Sequence, residues 1–209
     1  MRPISVTRTL ANAAVGAVAA AQTTAGAGNL LINGSLASGG VATLAAQQTL
    51  GFTSAGNIAG VVFTITGTDD QNRVISETVT GVNANTVNTV LSYRTVTRIS
   101  ASAAVTSAVS VDTLQIGGSQ EIPVDIYLTP FNVTIAVEVS GVVNYTVQWT
   151  LDDVFAPPGG GPFVWNNSTV LGTTNQVGSL VSPVRALRLL TNSGGGTAKL
   201  IAVQAGVMG

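Results

Sequence analysis

Apolar and polar residues alternate in short runs along most of the chain, and Gly, Asn, Ser or Pro closes each run. A period of two is the signature of a strand with one buried face, because successive side chains point to opposite sides. In "GVVFTITG", Val61, Phe63 and Ile65 share one face, while Val62, Thr64 and Thr66 share the other. The first face is greasy and the second mostly hydroxyl-bearing, which suits a half-buried antiparallel sheet. The same reading applies to "RVISETVTG", "RTVTRISA", "VSVDTLQIG", "NVTIAVEVSG", "VNYTVQWTL", "VRALRLLT" and "TAKLIAVQAG". Strands at this spacing, with turn signals between them, predict an all-β protein of sandwich or jelly-roll type.

Two places complicate that pattern. Near residues 9–22 an Ala-rich stretch offers the only plausible helix, although its apolar residues form no sharp stripe and "TTAGAG" follows. The start, "MRPISVTRTLANAAVGAVAAAQ", also imitates a secretory signal, with Arg2 and Arg8 ahead of a weakly apolar segment. An ordered N-terminal arm or first strand is the preferred reading. At residues 116–123, "IGGSQEIP" interrupts the strand rhythm and marks a domain boundary. The expected organisation is an Ala/Gly-rich arm plus a first β-sandwich over residues 1–118, and a second β-sandwich over 119–209. A chain of 209 residues has room for two such units.

Composition narrows the function. Charged residues make up 8% of the chain, against about 25% in a typical soluble domain, and the formal net charge is −1. A near-neutral surface of hydroxyls, amides and small apolar groups resists association poorly, which predicts a homo-oligomer or multi-copy component. The seven arginines and the single Lys199 form no cluster, so no nucleic-acid footprint is expected. No run approaches the ~20 apolar residues of a membrane-spanning helix. With no Cys and no His, thiolate nucleophiles, Ser-His-Asp chemistry and most zinc or haem sites drop out. Neither an enzyme nor a cofactor is expected.

Carboxylates are the chemistry that remains. Asp69, Asp70, Asn72 and Glu77 carry oxygens that suit a hard cation, but their spacing is not that of an EF-hand loop. A hairpin with the polar turn "DDQN" accounts for them, since Asp and Asn hydrogen-bond the local backbone in turns. Asp152 and Asp153, with Glu138, offer a carboxylate pair for sugar hydrolysis. Neighbours on a strand face opposite ways, however, so a polar strand end is the preferred reading. "TNSGGGTAKL" lacks the Gly-Lys-Ser/Thr ending of a phosphate loop and reads as two strands meeting at a glycine turn. Tyr145, Val147 and Trp149 share a face and fit a sandwich core. Phe163 and Trp165 sit beside the "PPGGGPF" loop, where partner contact competes with core burial for Trp165. Arg185 and Arg188 would point to opposite faces of "PVRALRLLT"; one is free to bridge to an acidic group across the sheet or on a partner. Trp165, Phe163 and Arg185 are therefore the candidate partner-contact residues, and no catalytic, cofactor or metal residue is assigned.

"ITGTDDQNRVISETVTG" (65–81) followed by "YRTVTRISASAAVTSAVSV" (93–111) resembles a segment that recurs in structural proteins of tailed bacteriophages. "YTVQWTLDDV" (145–154), "FVWNNSTVLG" (163–172) and "SPVRALRLLTNSGGGTAKLIAVQAG" (182–206) look like phage virion proteins as well. The resemblance covers most of residues 60–206 and implies a non-enzymatic virion component built of β-sandwich modules. Such a protein would decorate or cement the head, or belong to the head–tail apparatus, with major capsid, portal/neck or tail proteins as partners. Two alternatives stay open: a tail-fibre module that stacks host glycans on the Trp165 loop, and a secreted surface-layer protein or adhesin.

Overall fold

A computed structural model of the chain describes residues 4–156 and 163–208, so the "PPGGGP" part of the long loop lies outside the described residues. The fold is all-β, with antiparallel sheets and no helix among the described residues. The chain divides into two compact units, residues 11–117 and residues up to Leu10 together with those from Gly118 onward.

The N-terminal residues are built into sheets rather than held out as an arm. β1 (Ile4–Thr9) belongs to the second unit, and β2 (Ala14–Thr24) to the first. β2 occupies the stretch where a helix was conceivable. Its small side chains fit a sheet as readily as a helix, and burial decides between them: Ala17, Val18 and Ala19 are all buried, the last two in the first core. Burying three consecutive residues is incompatible with strict alternation, and β2 bulges repeatedly against β11 (Val105–Thr113). Gly16 supplies one irregular position, at φ 63°, and its amide donates to the Asp112 carboxylate at 2.7 Å.

In the 11–117 unit, β2 and β11 are followed by β6 (Leu50–Ser54) and β9 (Thr86–Asn88) in a four-stranded sheet. The facing sheet runs β4 (Ala37–Ser38), β5 (Val41–Gln48), β10 (Tyr93–Ala101), β7 (Val62–Thr68) and β8 (Val74–Thr80), with β3 (Gly28–Asn29) also paired to β10. Thr49 alone separates β5 from β6. There the chain crosses from one sheet to the other, held by the bonds Thr49 N to Ile116 O (2.8 Å) and Leu114 N to Thr49 O (3.0 Å). Phe52 on β6 meets Phe63 on β7 at 5.0 Å between ring centroids, so the two sheets close on a shared core. Where β10 bulges against β7, Gly67 is required: a Cβ there would lie 2.0 Å from the Thr95 carbonyl oxygen.

In the second unit, β1 pairs with β19 (Thr197–Met208) from Ile4↔Ala202 to Thr9↔Thr197, and β14 (Leu128–Ser140) and β17 (Gln176–Leu180) complete the sheet. The facing sheet runs β12 (Gly117–Gly118), β18 (Ala186–Ser193), β15 (Asn144–Thr150) and β16 (Asn166–Gly172), with β13 (Ile122–Pro123) also on β18. The expected division at 118/119 put Ile4–Thr9 in the first sandwich; pairing with β19 places them in the second. Val6 packs against the second core and Arg8 is buried, so β1 is an integral strand.

The glycines of "TNSGGG" do join two strands, β18 and β19, but these lie in opposite sheets instead of side by side. Gly194 sits at φ 95°, and a Cβ there would fall 2.4 Å from the Val142 carbonyl oxygen. The turn between β14 and β15 crosses at the same place, so two sheet-to-sheet passages pack backbone on backbone.

Candidate functional site

The "DDQN" stretch is the turn of the β7–β8 hairpin, which holds register from Val62↔Thr80 to Thr68↔Val74. Its first aspartate is not a wet tip. Asp69 is buried and organises the loop: Oδ1 accepts from the Gln71 and Arg73 amides at 2.9 Å each, and Oδ2 from Arg73 Nε at 2.6 Å. Asn72 takes φ 60°, a conformation that Asn tolerates better than most residues. Asp70 lies 3.7 Å from Arg94, and its amide donates to Gln47. Glu77 faces inward on β8 and accepts from the amides of Val90 (2.9 Å) and Leu91 (3.0 Å). Burial pushes its carboxyl above the usual 4.5, against the pull of those two amides. The buried Tyr93 hydroxyl is in turn pushed far up, first by burial and then by the charge of Glu77. These carboxylates serve backbone amides and arginines, so their oxygens are committed to holding the fold.

Of the three candidate contact residues, two come together. Phe163 and Trp165 meet edge to face with ring centroids 6.2 Å apart. Arg185 stands elsewhere: it precedes β18, is exposed, and its Nη1 lies 3.7 Å from Asp153 Oδ2. An exposed pair of this kind contributes little to stability. The cation that Trp165 does engage is Arg188, whose guanidinium carbon lies 4.2 Å from the ring centroid. Leu187 and Leu189 face the core, so Arg188 must face away from it, and there its Nε donates to Gln148 Oε1 at 2.8 Å on the paired strand. Gln148 Nε2 donates onward to Asn167 Oδ1 at 2.8 Å. Burial lowers the guanidinium pKa to about 10, with the charge of Glu121 opposing, so Arg188 remains a cation at neutral pH. The sequence expectation named Arg185 as a contact residue and gave Arg188 no assigned role. The signal that distinguishes them is the flanking pair of leucines, which fixes Arg188 on the strand.

Asp152 and Asp153 cap the end of β15. Asp152 Oδ2 accepts the Val164 amide at 2.6 Å and Asp153 Oδ1 the Phe155 amide at 3.0 Å. Glu138 lies across the sheet from Lys199, 3.2 Å away, rather than with the aspartates. Tyr145 and Val147 are fully buried in the second core, whereas Trp149 is only half-buried against it. The rest of Trp149 lines a groove of about 380 Å³ with Leu151, Leu180, Val181, Pro183 and Val184. Leu151, Phe155, Val164 and Val181 are each exposed by more than 60%. The chemistry such a surface offers is apolar contact.

No protein-family model matches this chain, and no curated protein does. Among solved structures it is similar to the major capsid protein P2 of bacteriophage PM2, over 99% of this chain and 98% of that one, at 11% identity and a TM-score of 0.23.

Proposed function

We propose that this chain is a structural component of a phage particle, one that attaches to the capsid or the head–tail apparatus and stabilises it through repeated protein–protein contacts. The observation that carries the reading is the surface. Large apolar side chains stand exposed at Leu151, Phe155, Val164, Val177 and Val181 in a chain only 8% charged. Contacts of that kind are individually modest and become firm when many copies engage together. The virion-like segments quoted from residues 60–206 point the same way. On this reading the protein is not an enzyme, and its carboxylates act on its own backbone. Its partners are capsid, portal/neck or tail proteins and further copies of itself. Mass spectrometry of purified particles should find peptides of this chain in multiple copies per particle; their absence would overturn the proposal.

A further inference from the structure

Sheet edges expose unpaired backbone groups, and folded proteins ordinarily blunt them with bulges, inward charges, brevity or side-chain caps. Among the described residues, every outer strand but one carries such a device. β4, β9 and β12 are only two or three residues long. β2 is bulged along its length. β1 turns Arg8 inward and β8 turns Glu77 inward. β16 is bulged against β15, and the Gln176 side chain occupies both the amide and the carbonyl of Leu171, at 3.1 and 2.8 Å.

β17 is the exception. It pairs with β14 alone, in unbroken register from Val133↔Leu180 to Val137↔Gln176. Its sequence, QVGSL, holds no charge and no proline, and Val177 on its outward face is 74% exposed. Leu180 and Gly178 face inward, Gly178 lying directly beneath Val170. The strand is thus anchored from below while its edge stays open.

We infer that β17 is the edge through which two copies of this chain join, antiparallel about a two-fold axis, so that their sheets continue into one another. The inference rests on the reading of the chain as an assembly component and names one of its contacts. A two-fold pairing sets each strand against itself, so a charge on the axis meets its own copy directly and one beside the axis lies diagonally across from its copy. Self-pairing of β8 about its central residue would set Glu77 against Glu77, and self-pairing of β1 would bring two copies of Arg8 into one short ladder. Self-pairing of β17 sets only Gln, Val, Gly, Ser and Leu against one another. The neutral edge is therefore complementary to a second copy of itself, and main-chain hydrogen bonds supply the affinity.

Sedimentation of the full chain from about 1 to 100 µM should show a monomer passing to a dimer. Ser179→Lys, an exposed position on the same strand, should weaken the dimer at least about tenfold with an unchanged thermal melt, because with Gly178 on the axis each lysine faces Val177 of the other copy and lies diagonally across from the other lysine. Thr78→Lys on the edge of β8 should leave the dimer intact. Because the chain has no cysteine, V177C/S179C should form a covalent dimer on oxidation, which tests the pairing without adding charge. A monomer throughout the range, or a dimer that S179K leaves unchanged and V177C/S179C fails to cross-link, would overturn the inference. Particles that take up S179K as readily as wild type would sink this contact alone, whereas a β17-joined dimer missing from particles would sink the particle reading alone.

Discussion

Glu77 is a carboxylate that burial keeps partly from water, and the folded chain holds its proton more tightly than the unfolded chain does. Between 4.5 and the raised folded value the native state binds the extra proton, so the stability contributed by this group is greatest below 4.5 and falls as pH rises through that window. Urea midpoints for wild type and Glu77→Gln, compared from about pH 4 to pH 7, should show wild type losing ground to the variant as pH rises. Asp69 accepts two backbone amides and a guanidinium from a buried position. Asp69→Ala would leave those donors without their acceptor, and chemical denaturation should register a loss of about 2–3 kcal/mol. Trp165 shields a guanidinium that is itself largely buried. Trp165→Ala should therefore lower the melting temperature of the second unit, by about 1–2 kcal/mol in stability terms.

At the scale of the element, β7 and β8 were legible because Thr64, Thr66, Ser76 and Thr78 alternate with Phe63, Ile65, Ile75 and Val79 across a turn rich in Asp and Asn. Local pattern and local turn chemistry agreed there. β2 was less legible, because alanine is at home in a helix and only the burial of Ala17, Val18 and Ala19 selects the strand. The pairing of β1 with β19 joins residues nearly the whole chain apart, and no local signal announces it. The contact of Trp165 with Arg188 was hidden for the same reason: it depends on which strands become neighbours. Deleting residues 1–9 removes Val6 and Arg8 from the second unit and uncovers the edge of β19. In calorimetry the transition of that unit should fall by at least about 5 °C, while the transition of the 11–117 unit stays in place.

For the whole molecule, scarcity of charge shapes how association answers to solvent. The dimer proposed at β17 forms between uncharged strands, so it should change less than about twofold in dissociation constant between 50 and 500 mM salt, in contrast to interfaces held by ion pairs. The other consequence concerns timing. Because β1 completes its sheet against β19, the 11–117 unit is an insertion within the second unit's chain. During synthesis the inserted unit emerges complete and can close at once, whereas β1, made before it, has to wait for β19, made after it. The second unit therefore closes only after the inserted one, and a chain in which β19 has yet to emerge holds one finished unit and one open sheet.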